Sequence, residues 1–248
     1  MENLQPIVMP EPKGEIWRAV FKEKLNFPRC VAAIDGKQVR IKASPHRGSE
    51  FFNYKKYHSV VLLVLVDANK RFLTVDVGQY GRVSDGNVFA NSNVAMRLAR
   101  QNIGLPPDEN LGGVPLPYIV IEDKAFPLKR YLVRPYPRSA RRLSEAERIF
   151  NYRLSRSRNT VENAFDIIAN TWRIHQRPFE CHVQLCDKLI LATVVLHNYV
   201  LESPTETNPA LGEQTNQPAS ANERRCCRQF NKRSSRCPKF IHGIFYVR

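Results

Sequence analysis

Seven consecutive aliphatic residues, Val60-Val61-Leu62-Leu63-Val64-Leu65-Val66, constrain this chain more than any other feature. Four of the seven are valine, and branching at Cβ stiffens χ1 and favours extended backbone. A half-exposed strand would alternate apolar with polar residues. This run has no polar residue, so the strand it forms is covered on both faces. The run is also far too short to span a bilayer. The fold must therefore place a layer on each side of a sheet, and helices are the common cover.

The rest of the chain supplies those parts. Cys30–Ile41 reads as extended and apolar, interrupted by Asp35-Gly36. Phe72–Val77 reads as the next strand after a turn at Asp67–Lys70, so the three strands form a meander. Residues Glu15–Leu25 suit a short amphipathic helix, and Lys42–Tyr57 a polar loop or hairpin rim. Val83–Arg100 repeats apolar positions at helical spacing, and Ile103–Pro117 is a loop rich in Pro and Gly. Tyr118–Ile121 is a short strand running into Glu122-Asp123, and Arg130–Val133 suits another. Ser144-Glu145-Ala146-Glu147 fits a capping box, with helix after it and a break before Thr160. A last helix covers Cys186–Leu201. The order predicts an α/β fold, a mixed sheet flanked by helices. Residues 1–14 read as an N-terminal extension, 15–202 as the folded domain, and 203–248 as a disordered linker and basic Arg/Cys-rich C-terminal tail.

Charge points to the partner. The 248 residues carry a net +15, which favours a polyanion, nucleic acid before membrane. Arg224–Arg248 holds eight Lys or Arg and no acid, which leaves +7 for the preceding residues. Arg138, Arg141, Arg142, Arg148, Arg153, Arg156 and Arg158 crowd one segment against only Glu145 and Glu147. Guanidinium groups bind phosphate bidentately, and such contacts give salt-dependent, sequence-blind affinity. The competing reading is a solvated helix face; closeness to Glu162 favours DNA. Six cysteines without a C-x-x-C pair, no signal peptide and no Asn-x-Ser/Thr sequon suit free thiols in a reducing compartment. Cys226, Cys227, Cys237 and His242 match no zinc pattern, and His58 and His197 read as packed side chains.

Four acids stand out, each with a bland alternative. Asp35 interrupts an apolar strand, where Asp is depleted, yet Asp35-Gly36 also suits a hairpin turn. Asp123 follows a strand, where functional groups of α/β sheets gather, yet acids commonly end strands. Glu162 lies beside Val161 at the edge of an apolar helix face, yet it can also pair with Arg158 four residues earlier. Asp85 sits where a helix begins, and capping by Ser84 or Asp85 accounts for it. One chemistry would unite them. Mg²⁺ or Mn²⁺ prefers hard oxygen ligands, and two such ions about 3.5–4 Å apart can activate water and stabilise the leaving oxygen of a phosphodiester.

These residues resemble a known family, the PIF/Harbinger transposases and their domesticated nuclease relatives. Ala33-Ile34-Asp35-Gly36-Lys37-Gln38-Val39-Arg40-Ile41-Lys42 is similar to the family's first catalytic block, and Lys56-Tyr57-His58-Ser59 to the segment after it. Gly81-Arg82-Val83-Ser84-Asp85-Gly86-Asn87-Val88-Phe89 is similar to the second acidic block. Asp123-Lys124-Ala125-Phe126-Pro127-Leu128 with Arg134-Pro135-Tyr136 is similar to the third. Glu147-Arg148-Ile149-Phe150-Asn151 with Arg158 and Glu162-Asn163-Ala164-Phe165 is similar to the fourth, and Val195-Leu196-His197-Asn198 to the closing helix. The resemblance implies an RNase H-like fold and a DDE site. Asp35, Asp123 and Glu162 would be catalytic, and Asp85 would join them in holding the cations. It also implies a metal-dependent DNA endonuclease acting in the nucleus, with the cytoplasm as a second compartment, and a Myb/SANT-like DNA-binding partner. Glu122 and Asp166 stand where the family tends to have Gly, Lys124 follows the third acid, and the relatives carry a helical region upstream. Those departures define the alternative: a decayed, domesticated nucleic-acid-binding or scaffold protein that keeps the fold without the chemistry.

Overall fold

The computed structural model describes residues 5–10, 17, 24–42, 48–100, 103–111, 114–123, 125–137 and 143–203. The expected tail, most of the expected Glu15–Leu25 helix, Lys124, Arg138, Arg141 and Arg142 lie outside them. A short helix α1 (Gln5–Val8) precedes the strand β1 (Cys30–Arg40), and a second short helix α2 (Gly48–Phe51) leads to β2 (Ser59–Val66) and β3 (Phe72–Tyr80). Two short helices follow, α3 (Asp85–Ala90) and α4 (Asn93–Ala99). A two-stranded ladder of β4 (Glu109–Leu111) and β5 (Val114–Leu116) then leads to β6 (Ile119–Ile121) and β7 (Leu132–Val133). The long helices α5 (Glu145–Thr171) and α6 (Val183–Glu202) end the fold.

The main sheet has the order β3-β2-β1-β6-β7. The meander is antiparallel, while β6 pairs with β1 and β7 with β6 in parallel. It is the mixed, helix-flanked α/β sheet that the RNase H-like reading requires. Every residue of β2 is buried, as its unbroken apolar run demands. Val60, Leu62, Val64 and Val66 join a core with Leu154, Val161 and Ile168 of α5 and Ile190 and Val194 of α6. Val61, Leu63 and Leu65 join the opposite core, with Val88, Phe89, Val94 and Leu98 of α3 and α4. Each buried Val or Leu contributes about 1.5–3 kcal/mol, so β2 alone anchors both layers.

Several local expectations change. Asp35-Gly36 makes no hairpin: β1 runs straight through it, with Asp35 opposite Val64 and Gly36 opposite Leu63. Pairing with the buried β2 outweighs the local turn preference. The Val83–Arg100 segment is two helices, because Ser92 caps the second: its Oγ accepts from Ala95 N–H at 3.1 Å and donates to the Phe89 carbonyl at 2.7 Å. The Ser144–Glu147 capping box is present. No break precedes Thr160; its hydroxyl donates to the Ser157 carbonyl at 2.8 Å within one 27-residue helix. His197 packs edge-on against Phe72, and its Nε2 lies 2.9 Å from the Lys70 carbonyl. Beside it the fully buried Asn198 accepts from Phe72 N–H and donates to the carbonyls of Phe72 and Val8, so α6 is pinned to β3 and α1. Among the described residues, no helix is long and apolar enough to cross a membrane.

Candidate metal centre

The parallel register of β1 and β6 brings two of the acids together. Ala33 lies across from Ile121, and Asp35 and Asp123 each follow two residues later. Side chains alternate along a strand, so residues two apart share a face, and adjacent strands lie about 4.8 Å apart. Ala33 and Ile121 face the core shared with α5, so Asp35, midway along β1, and Asp123, just past the end of β6, emerge on the α5 side. Each carboxylate is held by one nearby amide: Asp35 Oδ1 accepts from Gly36 N–H at 2.8 Å, and Asp123 Oδ1 from Ala125 N–H at 2.6 Å.

Asp85 arrives from the opposite layer through two glycines. A Cβ on Gly36 would stand 2.7 Å from Asp85 Oδ1, and one on Gly86 would stand 2.4 Å from the Ala125 carbonyl oxygen. A side chain at 86 would push the start of α3 off the Asp123 loop, and one at 36 would turn the Asp85 carboxylate away from β1. Asp85 is the first residue of α3, but the expected capping role is absent: Ser84 makes no side-chain cap hydrogen bond. Asp85 Oδ1 is instead buried without a hydrogen-bond partner. Such an atom normally costs about 1–3 kcal/mol, which a bound cation would recover.

Asp35 and Asp85 lie within reach of the Asp123 charge. Burial pushes the Asp35 carboxyl up to about 6, and the negative charges of Asp123 and Asp85 add to the rise. Gly36 N–H and the Arg158 guanidinium oppose it. Burial and Asp123 also raise Asp85, against the Lys55 ammonium. Carboxylates that raise one another's proton affinity compete for positive charge, the condition a divalent ion resolves.

Glu162 comes from α5. It lines a cleft of about 590 Å³ together with Asp35, and it is about half exposed. Its pairing with Arg158, one of the two alternatives in the sequence, is present at 3.4 Å. A pair this exposed contributes only roughly 0.3–0.5 kcal/mol, so it is easily exchanged for a stronger cation. Among the described residues, no group of three Asp, Glu, His or Cys side chains is placed so that it could hold a metal ion. The donors are nonetheless all carboxylate oxygens, one is a buried orphan, and Asp35 is raised by the charges of both Asp123 and Asp85. That set fits a hard divalent cation better than a soft metal.

Of the arginines singled out in the sequence, Arg148, Arg153, Arg156 and Arg158 lie on α5. Arg148 and Arg156 are exposed, while the half-buried Arg158 faces the acids. Sequence reasoning missed Glu122. It is fully buried on the side of β6 away from Asp123, and neither of its oxygens has a hydrogen-bond partner. The Phe126 N–H favours its ionised form without reaching hydrogen-bond geometry, yet burial and Asp123 push the carboxyl up to about 8.

Known proteins align with the same segment. The family model described as DDE superfamily endonuclease matches residues 34–198, from the residue before Asp35 to Asn198. Among curated proteins, the chain is 25% identical over 209 residues to the Arabidopsis thaliana protein named "Protein ALP1-like". The alignment covers 80% of this chain and 49% of that relative, so the chain spans about half the relative's length. No solved structure matches. With the family model covering about two thirds of the chain, and the acids of its site lying within that span, the chain belongs to the DDE superfamily endonucleases.

Proposed function

We propose that this protein is a divalent-metal-dependent DNA endonuclease, with Asp35, Asp123 and Glu162 as catalytic carboxylates and Asp85 as an additional metal ligand. The observation that carries the proposal is the convergence of charge on Asp35, whose buried carboxyl is raised further by Asp123 and Asp85 from two other segments, beside the unpartnered buried Oδ1 of Asp85. A pair of Mg²⁺ or Mn²⁺ ions supplies water activation and neutralises charge on the departing oxygen. The chain's own residues hold that chemistry in place. Gly36 N–H and Ala125 N–H each engage one carboxylate oxygen, which would leave the other oxygen of Asp35 and of Asp123 for the cations. Arg158 moderates the repulsion while Glu162 leans on it from α5. The basic residues of α5, with Arg138, Arg141 and Arg142 before it, would seat the DNA backbone, and the nucleus is where that substrate lies. A Myb/SANT-like partner would supply target recognition.

Cleavage of plasmid DNA that requires Mg²⁺ or Mn²⁺ and disappears in Asp35→Asn tests the proposal; equal cleavage by that variant would refute it. The glycine gap gives a subtler check. Gly36→Ala should push Asp85 off the cluster and weaken Mn²⁺ binding by roughly tenfold, the scale seen when a supporting group at a metal site is lost. Calorimetry that finds the same affinity in both proteins would remove Asp85 from the site.

The Arg158–Glu162 pair favours a second reading, in which the fold persists as a nucleic-acid-binding scaffold and the arginine has taken the cation's place. Millimolar Mn²⁺ that fails to bind, with DNA affinity intact, would select this reading.

A further inference from the structure

The cleft that begins at Asp35 and Glu162 continues along β1, and nothing in the carboxylate chemistry accounts for the rest of it. β6 pairs with β1 only as far as Ala33. On that side β1 is next engaged at Arg40, whose carbonyl accepts from Phe179 N–H at 3.0 Å. The stretch between is an open sheet edge, and Asp35 through Arg40 line the cleft along it. At about 3.3 Å per residue, this floor is roughly 17 Å long. Phe165 and Gln176 form the opposite wall.

Three cations follow the acids. Lys37 and Arg40 leave β1 on opposite faces of the open edge, and Lys55 projects from the hairpin 52–58; all three are exposed. Among the described residues none is engaged in an ion pair. Each cation is presented beside an aromatic face. Lys37 Nζ lies 5.3 Å from the Phe165 ring centre, and the Arg40 guanidinium 4.5 Å from that of Tyr57. The hairpin is rigid. Asn53 N–H donates to the Tyr57 carbonyl at 2.9 Å, Asn53 Oδ1 accepts from Lys55 N–H at 2.9 Å, and Asn53 Nδ2 donates to Ser59 Oγ at 2.8 Å. Ser59 Oγ in turn donates to Gln38 Oε1 on β1. The fold therefore spends buried polar contacts to fix Lys55 and Tyr57 over the cleft.

We infer that this cleft carries one unpaired nucleic-acid strand past the acids, with phosphates on Lys37, Arg40 and Lys55 and a base against the Arg40–Tyr57 stack. Within a duplex the base faces are covered by their neighbours. A groove along an open strand edge that offers aromatic and guanidinium planes beside cations on both of its sides therefore suits unstacked nucleotides. The substrate would be DNA opened or frayed at the cut. This rests on the nuclease reading for its purpose, but it can be measured without cleavage.

Fluorescence anisotropy in EDTA, with a short labelled oligothymidine and a blunt duplex of equal length, provides the test. The wild-type chain should prefer the oligothymidine. The combined variant Lys37→Ala, Arg40→Ala, Lys55→Ala should bind it at least about tenfold more weakly. Its slope of log K against log salt should be shallower by about 2, since each single-strand phosphate contact contributes roughly 0.7. Tyr57→Ala should weaken the oligothymidine by about tenfold and leave the salt slope unchanged, the signature of lost stacking. Because the three cations are exposed, the combined variant should keep the wild-type melting temperature. A wild-type preference for duplex, or unchanged oligothymidine affinity in the combined variant, would overturn the inference. If the binding behaves as expected while the protein with Mn²⁺ cuts nothing, the strand path stands and the nuclease reading falls.

Discussion

Asp35→Asn should abolish DNA cleavage and, in metal-free buffer, raise the stability of the protein. Both effects come from one cause. Burial with Asp85 and Asp123 alongside raises the Asp35 carboxyl to about 6. A folded-state pKa above the unfolded value of roughly 3.9 means that the folded chain binds the extra proton between those two values. Stability therefore falls as pH rises from about 4 to about 6, and the full loss is present at neutral pH. At roughly 1.4 kcal/mol per pKa unit, the loss amounts to ~1–3 kcal/mol, or a few degrees of melting temperature. Asparagine removes the charge and can still accept from Gly36 N–H. In activity the sign reverses. Removing a carboxylate that holds a divalent ion forfeits several kcal/mol of charge stabilisation, about a thousandfold in rate. Saturating Mn²⁺ should stabilise the wild type by about 2.7 kcal/mol at a hundred times its dissociation constant and leave the variant unmoved. Melting curves with and without Mn²⁺, beside a plasmid-cleavage assay, check all of this. A variant that melts below wild type in EDTA would contradict the assigned electrostatics.

Glu122→Gln should stabilise the metal-free protein at neutral pH. Glu122 is fully buried, its oxygens lack hydrogen-bond partners, and its carboxyl is raised to about 8. The unfolded value is roughly 4.3, so the folded chain holds the extra proton from about pH 4.3 to about 8. Wild-type stability declines throughout that window and levels off above it. Below pH 4 the two proteins should unfold together, both neutral at this position. By pH 8 the glutamine variant should lead by ~3–5 kcal/mol in urea unfolding of the metal-free proteins. A gap between the two curves that stays constant from pH 4 to pH 8 would show that Glu122 is not protonated on folding.

What the sequence disclosed, and what it did not, follows physical lines. The β2 run spoke plainly because burial on both faces leaves no room for a polar residue, and its alternate side chains do fill two separate cores. The Ser144–Glu147 box was legible because its bonds close within four residues. The Asp35-Gly36 pair pulled the other way: its local chemistry favours a turn, and only the ladder to Val64 and Leu63 overrides it. The Val83–Arg100 apolar repeat hides its break because the repeat continues across Ser92, whose capping role depends on the backbone around it.

At the site, the acids were nominated by their surroundings and by family resemblance; their meeting depends on the Ala33–Ile121 register and on the two glycine gaps. Lys37, Arg40 and Tyr57 fell within blocks of the family resemblance but no role was legible for them or for Lys55, since the cleft that gathers them needs β1, the hairpin and α5 all in place. Glu122 looked like a departure from a family glycine, and nothing in the sequence showed that it would be wholly buried.

The central claim is that carboxylates from β1, the β6 loop and the start of α3 share divalent ions with Glu162. Anomalous diffraction from crystals soaked in Mn²⁺ tests it most directly. Manganese should appear between Asp35 and Asp123, with Asp85 turned toward it and Glu162 released from Arg158. Crystals with no manganese at that position, and with Arg158 still paired to Glu162, would contradict it.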